Sequence, residues 1–145
     1  MLSELYNETI LAHAANIGRL GRLDQPDASA TRRSRLCGSQ VTVDVVMKDG
    51  RVADFGHEVK ACALGQASSS IMAETVIGAS VDELETLTRQ MTAMLKEGGP
   101  APEGRWAGFA CLAPVAAHKS RHASTLLTFE ATCEAAKKAL LEKVA

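Results

Sequence analysis

Four cysteines, at positions 37, 62, 111 and 133, are the side chains of this 145-residue chain best suited to covalent or metal chemistry. A thiolate is a strong nucleophile and a soft metal ligand. No Cys-x-x-Cys pair occurs, which weakens zinc-ribbon and thioredoxin-type readings, so a site made from these thiols must be assembled from distant positions. Gly38 follows Cys37 and lets the backbone turn sharply beside a ligand. Cys62 stands at the start of a helical pattern, where unpaired amides and the helix dipole favour a thiolate. A lone cysteine is otherwise a small core hydrophobe. Cys133 reads that way, and Cys111 leans towards it. His13, on the inner face of a first helix, and His57, on one strand face with Phe55 and Val59, read as structural.

The elements around Cys37 and Cys62 bring them together. Val41, Val43 and Val45 alternate with Thr42 and Asp44, the pattern of a half-buried strand. Asp49-Gly50 signals a hairpin turn, and a second strand runs from Val52 to about Val59. Cys37 precedes the first strand and Cys62 follows the second, so an antiparallel hairpin makes the two thiols spatial neighbours.

Before the hairpin, Ser3 caps a first helix carrying Tyr6, Ile10, His13 and Ile17, ended by Gly18 and Gly21. Residues 22–36 are polar, hold Arg32, Arg33 and Arg35, and read as a loop; the arginines offer either a solvated surface or a docking point for an acidic partner. A helix starts at Ala63 and closes at Gly78, and Ala67-Ser68-Ser69-Ser70 gives it a small-residue surface that another backbone could approach. Ser80 with Glu83 forms a capping box for the next helix, whose stripe is Leu84, Leu87, Met91, Met94 and Leu95. Residues 100–118 read as a loop with a turn at the packing anchor Trp106, and a last helix runs from about Lys119 towards Lys143. The expectation is one α+β domain over 1–145, a small antiparallel sheet with helices on one face.

Apolar residues make up 46% of the chain, enough for a core, and with aromatics at 3% that core must be mostly aliphatic. A net charge of -1 points to no nucleic-acid or membrane partner. No apolar run is long enough to span a bilayer, and the first residues lack a signal-peptide pattern. A cytoplasmic location with free thiols is the expectation.

In order along the chain, Leu5-Tyr6, Ile10, His13, Asn16 and Gly21, then Leu36-Cys37-Gly38, then Cys62 before an Ala/Ser-rich helix, then Arg121 and Leu127, resemble the IscU/SufU/NifU family of iron–sulfur cluster assembly scaffolds. The spacing from Cys62 to Arg121 is similar to the SufU branch. The resemblance implies the SufE/NifU-like fold and cofactor-binding thiols at Cys37 and Cys62. Two positions depart from the pattern. Ser39 stands where the family has an aspartate, and Ser124 where it has a third cysteine. The metal positions the resemblance implies are therefore Cys37, Cys62 and Ser124, with His122 as the nearest substitute ligand and Cys111 or His118 as further ones.

On this footing the chain is a carrier, with no catalytic residues, rather than an enzyme. It would take persulfide sulfur from a cysteine desulfurase, hold a transient iron–sulfur cluster or a zinc or iron ion, and pass the cargo to recipient apo-proteins. The alternative is a metal-free sulfur carrier similar to SufE, or an interaction module that has lost the scaffold site. A third reading is a redox sensor that pairs Cys37 with Cys62.

Overall fold

The hairpin around Asp49-Gly50 organises the molecule. In the computed structural model, which describes residues 5–144, strand β2 (Gln40–Lys48) pairs antiparallel with β3 (Arg51–Lys60), from Gln40 opposite Lys60 to Lys48 opposite Arg51. Asp49 and Gly50 both have positive φ, 55° and 76°, as a type I′ turn requires. A bulge between Val46 and Met47 shifts the register by one residue and keeps Met47 in the core.

A third strand was not legible in the sequence. Residues 28–33, expected within a polar loop, form β1 (Ala28–Arg33), antiparallel to the other side of β2 and giving the order β1-β2-β3. Its apolar content is only alanine, so no alternating pattern marks it. Polar cross-strand pairs hold it instead: the Thr31 and Thr42 hydroxyls are 2.9 Å apart, and Ser29 donates to Asp44. The Asp44 carboxylate is fully buried and also receives Arg22 through both Nε (2.8 Å) and Nη2 (3.0 Å), and the Leu23 amide at 3.0 Å. Burial alone would push its pKa up, but these donors outweigh it and hold the carboxyl below its usual range.

The described N-terminal helix, α1 (Glu8–Ala15), is capped by Asn7, whose Oδ1 accepts from the Ile10 amide at 3.0 Å. The expected cap, Ser3, lies outside the described residues. The helix stops at Asn16 and leaves Ile17 outside it. Residues 19–21 then run beside β3, with the Gly21 amide donating to the His57 carbonyl and the His57 amide to the Arg19 carbonyl, which covers that sheet edge.

Helix α2 (Ala63–Thr75) and helix α3 (Val81–Glu97) follow. Ser80 and Glu83 form the full capping box, and Gly98 closes α3 in the left-handed conformation. The small residues Ala67 to Ser70 are all buried, and Ser70 donates to the Asn16 carbonyl, so the chain itself occupies the close approach they permit. Residues Gly104–Ala117, expected as a loop, make a run of 3-10 turns that bury Phe109, Leu112 and Val115; the Phe109 ring sits 4.7 Å from that of Phe129. A 3-10 turn, Lys119–Arg121, leads into α4 (His122–Val144), which starts slightly later than the sequence suggests. Val41, Val43, Val45 and Met47 of β2 share one core with Leu64, Ile71, Leu87, Met91 and Phe129 from the helices. Among the described residues, no helix is long and apolar enough to cross a membrane.

Candidate thiol and metal site

The ladder that ends at Gln40 and Lys60 fixes where the two chemically promising thiols stand. Cys37 is three residues before one end of that pair, and Cys62 two residues after the other. Both belong to the same end of the sheet, as the hairpin requires.

Cys37 sits in a turn that closes on itself. The Ser34 amide donates to the Ser39 carbonyl at 2.8 Å, and the Gly38 amide to the Ser34 carbonyl at 3.0 Å. Gly38 takes φ 71°, in the left-handed region that favours glycine. The turn holds Cys37 exposed while Ser34 and Ser39 are buried beneath it. The Ser39 Oγ is 3.0 Å from the Cys37 Sγ. That hydroxyl is the main influence holding the Cys37 thiol below its ordinary pKa; slight burial works against it, and Ser34, the Ser39 amide and the positive charge of Arg121 assist. Ser39, noted in the sequence as a lost carboxylate, thus has a role of its own in stabilising the thiolate. The contribution of Ser34 had no signal in the sequence, because serine in a polar turn is ordinary.

Cys62 is the N-cap of α2, with extended backbone and half-buried side chain. Its Sγ donates to the Ser124 Oγ at 3.5 Å, and Ser124 in turn donates to the Arg121 carbonyl at 3.2 Å. Gly65 permits this contact. A Cβ there would lie 2.7 Å from the Ala61 Cβ and 3.1 Å from the Ser124 carbonyl oxygen, so only glycine lets α2 approach α4 so closely. A glycine inside a helix costs about 1 kcal/mol relative to alanine, and that misfit, which the sequence expectation did not use, could have marked the close approach.

The remaining candidates are placed otherwise. His122 is buried, and its Nε2 donates to the Val115 and Ala116 carbonyls at 3.0 and 3.1 Å, which leaves Nδ1 as its free ring nitrogen for a ligand. Cys133 is buried and Cys111 half-buried, and desolvation pushes both thiols above the ordinary range. His57 is fully buried with Nε2 2.9 Å from the Gly18 carbonyl, a structural role. Among the described residues, no group of three or more His, Cys, Asp or Glu side chains is arranged to hold a metal ion. The positions singled out for metal therefore offer two thiols, one hydroxyl and one imidazole, Ser39 adds a second hydroxyl, and serine hydroxyls are poor ligands for zinc or iron.

The same architecture occurs in known proteins. A crystal structure of a nitrogen-fixing NifU-like protein (N-terminal) from Brucella abortus is 55% identical, with 99% of each chain covered and a TM-score of 0.94. A protein of Thermotoga maritima named iron–sulfur cluster assembly scaffold protein IscU is 28% identical over 134 residues, covering 92% of this chain and 94% of the relative. A protein of Fervidobacterium islandicum, described as an iron–sulfur cluster assembly scaffold for the SUF system, shares the fold with a TM-score of 0.83 at 21% identity, covering 91% of this chain and 96% of its own. The NifU-like N-terminal domain family matches residues 5–124, and the chain belongs to that family.

Proposed function

We propose that this chain is an iron–sulfur cluster assembly scaffold and sulfur acceptor, a carrier rather than an enzyme. The observation that carries the reading is the exposed Cys37, whose thiol is held below its ordinary pKa by Ser39, Ser34 and Arg121. Such a thiolate attacks the outer sulfur of a persulfide on a cysteine desulfurase. The sulfur–sulfur bond of the donor breaks, the donor cysteine leaves as a thiolate, and Cys37 becomes the persulfide. The exchange needs no added oxidant or reductant. A reducing, cytoplasmic setting would keep the acceptor Cys37 as a free thiol.

Iron or a nascent cluster is cargo in this reading, destined for recipient apo-proteins. Cys37 and Cys62 are its proposed anchors, with Ser124 beside Cys62 and His122 two residues before Ser124 in the chain. Two thiolates do not close a four-ligand shell. Any iron or zinc held here draws its other ligands from His122, from water or from a partner.

The same shortage of soft ligands favours a second reading, a metal-free sulfur carrier. One experiment separates the two. The protein is incubated anaerobically with Fe(II), sulfide and a thiol, and the visible spectrum is recorded. A cluster absorption lost in Cys37→Ser supports the scaffold. No cluster absorption, together with a Cys37 persulfide seen by mass spectrometry after a separate thiol-free incubation with a small-molecule persulfide, whose own sulfur–sulfur bond breaks as the new one forms, supports the carrier. Neither signal overturns both.

A further inference from the structure

A groove opens beside the turn that carries Cys37. Its floor is the first turns of α4, including Leu126 and Leu127. Its walls come from Arg33 and Arg35 at the end of β1, Lys96 at the end of α3, and Lys119 just before α4. The cavity is about 580 Å³. Four cations thus face one carboxylate, that of Glu130. Among the described residues, none of the four makes an ion pair; Arg33 spends its guanidinium on the neutral Gln40 side chain. Uncompensated charge over an apolar floor is complementary to an anionic, partly apolar occupant.

Its length indicates which kind. Glu130 also lines a second cavity of about 390 Å³ bounded by Arg32, Thr88, Cys133, Glu134 and Lys137, where Arg32 is paired with Glu134, so the depression continues along α4 although its uncompensated charge lies at the Cys37 end. From Ala123 to Lys137 a helix climbs about 21 Å at 1.5 Å per residue. That span holds about six residues of extended chain and far exceeds a single small anion. Leu36, beside Cys37 in sequence and 75% exposed, adds an apolar contact at the thiol end.

We propose that this groove docks an acidic peptide segment of the protein that exchanges sulfur with Cys37. The segment lies along α4, with carboxylates on Arg33, Arg35, Lys96 and Lys119 and an apolar residue over Leu126 and Leu127. The proposal rests on the sulfur-exchange reading given above, and it adds how the partner is held while the reacting sulfurs meet.

The probe is a fluorescein-labelled peptide of glutamates interrupted by two leucines, titrated with the full chain at low salt and followed by anisotropy. Amide shifts should cluster at residues 33–35, 96 and 119–130. The double variant Lys96→Glu with Lys119→Glu should bind at least roughly tenfold more weakly, while Arg89→Glu, on an exposed part of α3 outside the groove, stays within about twofold. No binding, equal binding by the double variant, or shifts elsewhere overturns the proposal. So does equal binding of inorganic phosphate or a single-stranded oligonucleotide, which would mark a surface for anions in general. Sulfur uptake at Cys37 from a small-molecule persulfide is measured separately on the unaltered chain. Uptake without peptide binding overturns the docking site alone. Peptide binding without uptake overturns the sulfur reading and leaves the groove's preference for acidic peptide standing.

Discussion

The sulfur of Cys62 and the hydroxyl oxygen of Ser124 face each other at 3.5 Å across the junction of α2 and α4. A soft ligand at position 124 would therefore stand beside an existing thiol. Ser124→Cys should tighten zinc binding by at least about tenfold, measured under reducing conditions by competition with a chromophoric chelator. Unchanged affinity would mean that this junction does not face the metal. In air the same variant should form a disulfide between positions 62 and 124.

Reactivity should separate Cys37 from Cys111 and Cys133. Cys37 has its thiolate stabilised, while Cys111 and Cys133 are pushed the other way by burial. Iodoacetamide labelling near neutral pH should reach Cys37 well before those two. Ser39→Ala removes the chief stabilising hydroxyl, so the pH midpoint of Cys37 labelling should move up. A midpoint that does not move would show that Ser39 has no hold on the thiolate.

Gly65→Ala separates two effects of opposite sign. Helix propensity alone would stabilise α2 by up to about 1 kcal/mol. The clash of the new Cβ with Ala61 and the Ser124 carbonyl should instead destabilise the fold by about 1–3 kcal/mol. Urea unfolding reads the sign directly, and a gain in stability would sink the close-approach argument.

Stability should fall in mild acid because of His57. Burial lowers its pKa, only partly offset by the Gly18 carbonyl, and its buried Nδ1 has no hydrogen-bond partner among the described residues. The unfolded chain then binds the proton more readily than the folded one. Above about pH 6.5 both forms are neutral and the residue has no effect. As pH drops below that value the unfolded state gains, at no more than about 1.4 kcal/mol per pH unit. His57→Gln keeps a donor for Gly18 and should flatten this part of the curve. Asp44 acts further down: its lowered pKa gives stability that is present above the ordinary carboxylate range and lost as pH falls through it.

The elements written in strong local chemistry were readable from the sequence. The Asp49-Gly50 turn, the valine alternation of β2 and the Ser80–Glu83 box each carry their own signal, and the hairpin alone put Cys37 and Cys62 at one end of the sheet. β1 was unreadable because alanines and cross-strand hydroxyl pairs leave no apolar period. The run at 104–117 was unreadable because glycine, alanine and Pro114 suggest a loop, while tertiary contacts of Phe109 and Phe129 decide its shape. At the site, the residue types were legible but their partners were not. Ser39 stood out as a missing ligand, and its contact with Cys37 depends on a turn that no spacing rule specifies. His122 was a reasonable substitute ligand by position, and only the fold reveals the two carbonyls that engage its Nε2.

The turn from Ser34 to Ser39 is fastened by its own backbone, amide to carbonyl, at both of its crossings. Its tip can therefore change independently of the body behind it. Substitutions at positions 35 and 36 would tune how readily the exposed sulfur of Cys37 reacts while leaving the melting temperature nearly untouched, so reactivity and robustness can be selected separately in this lineage.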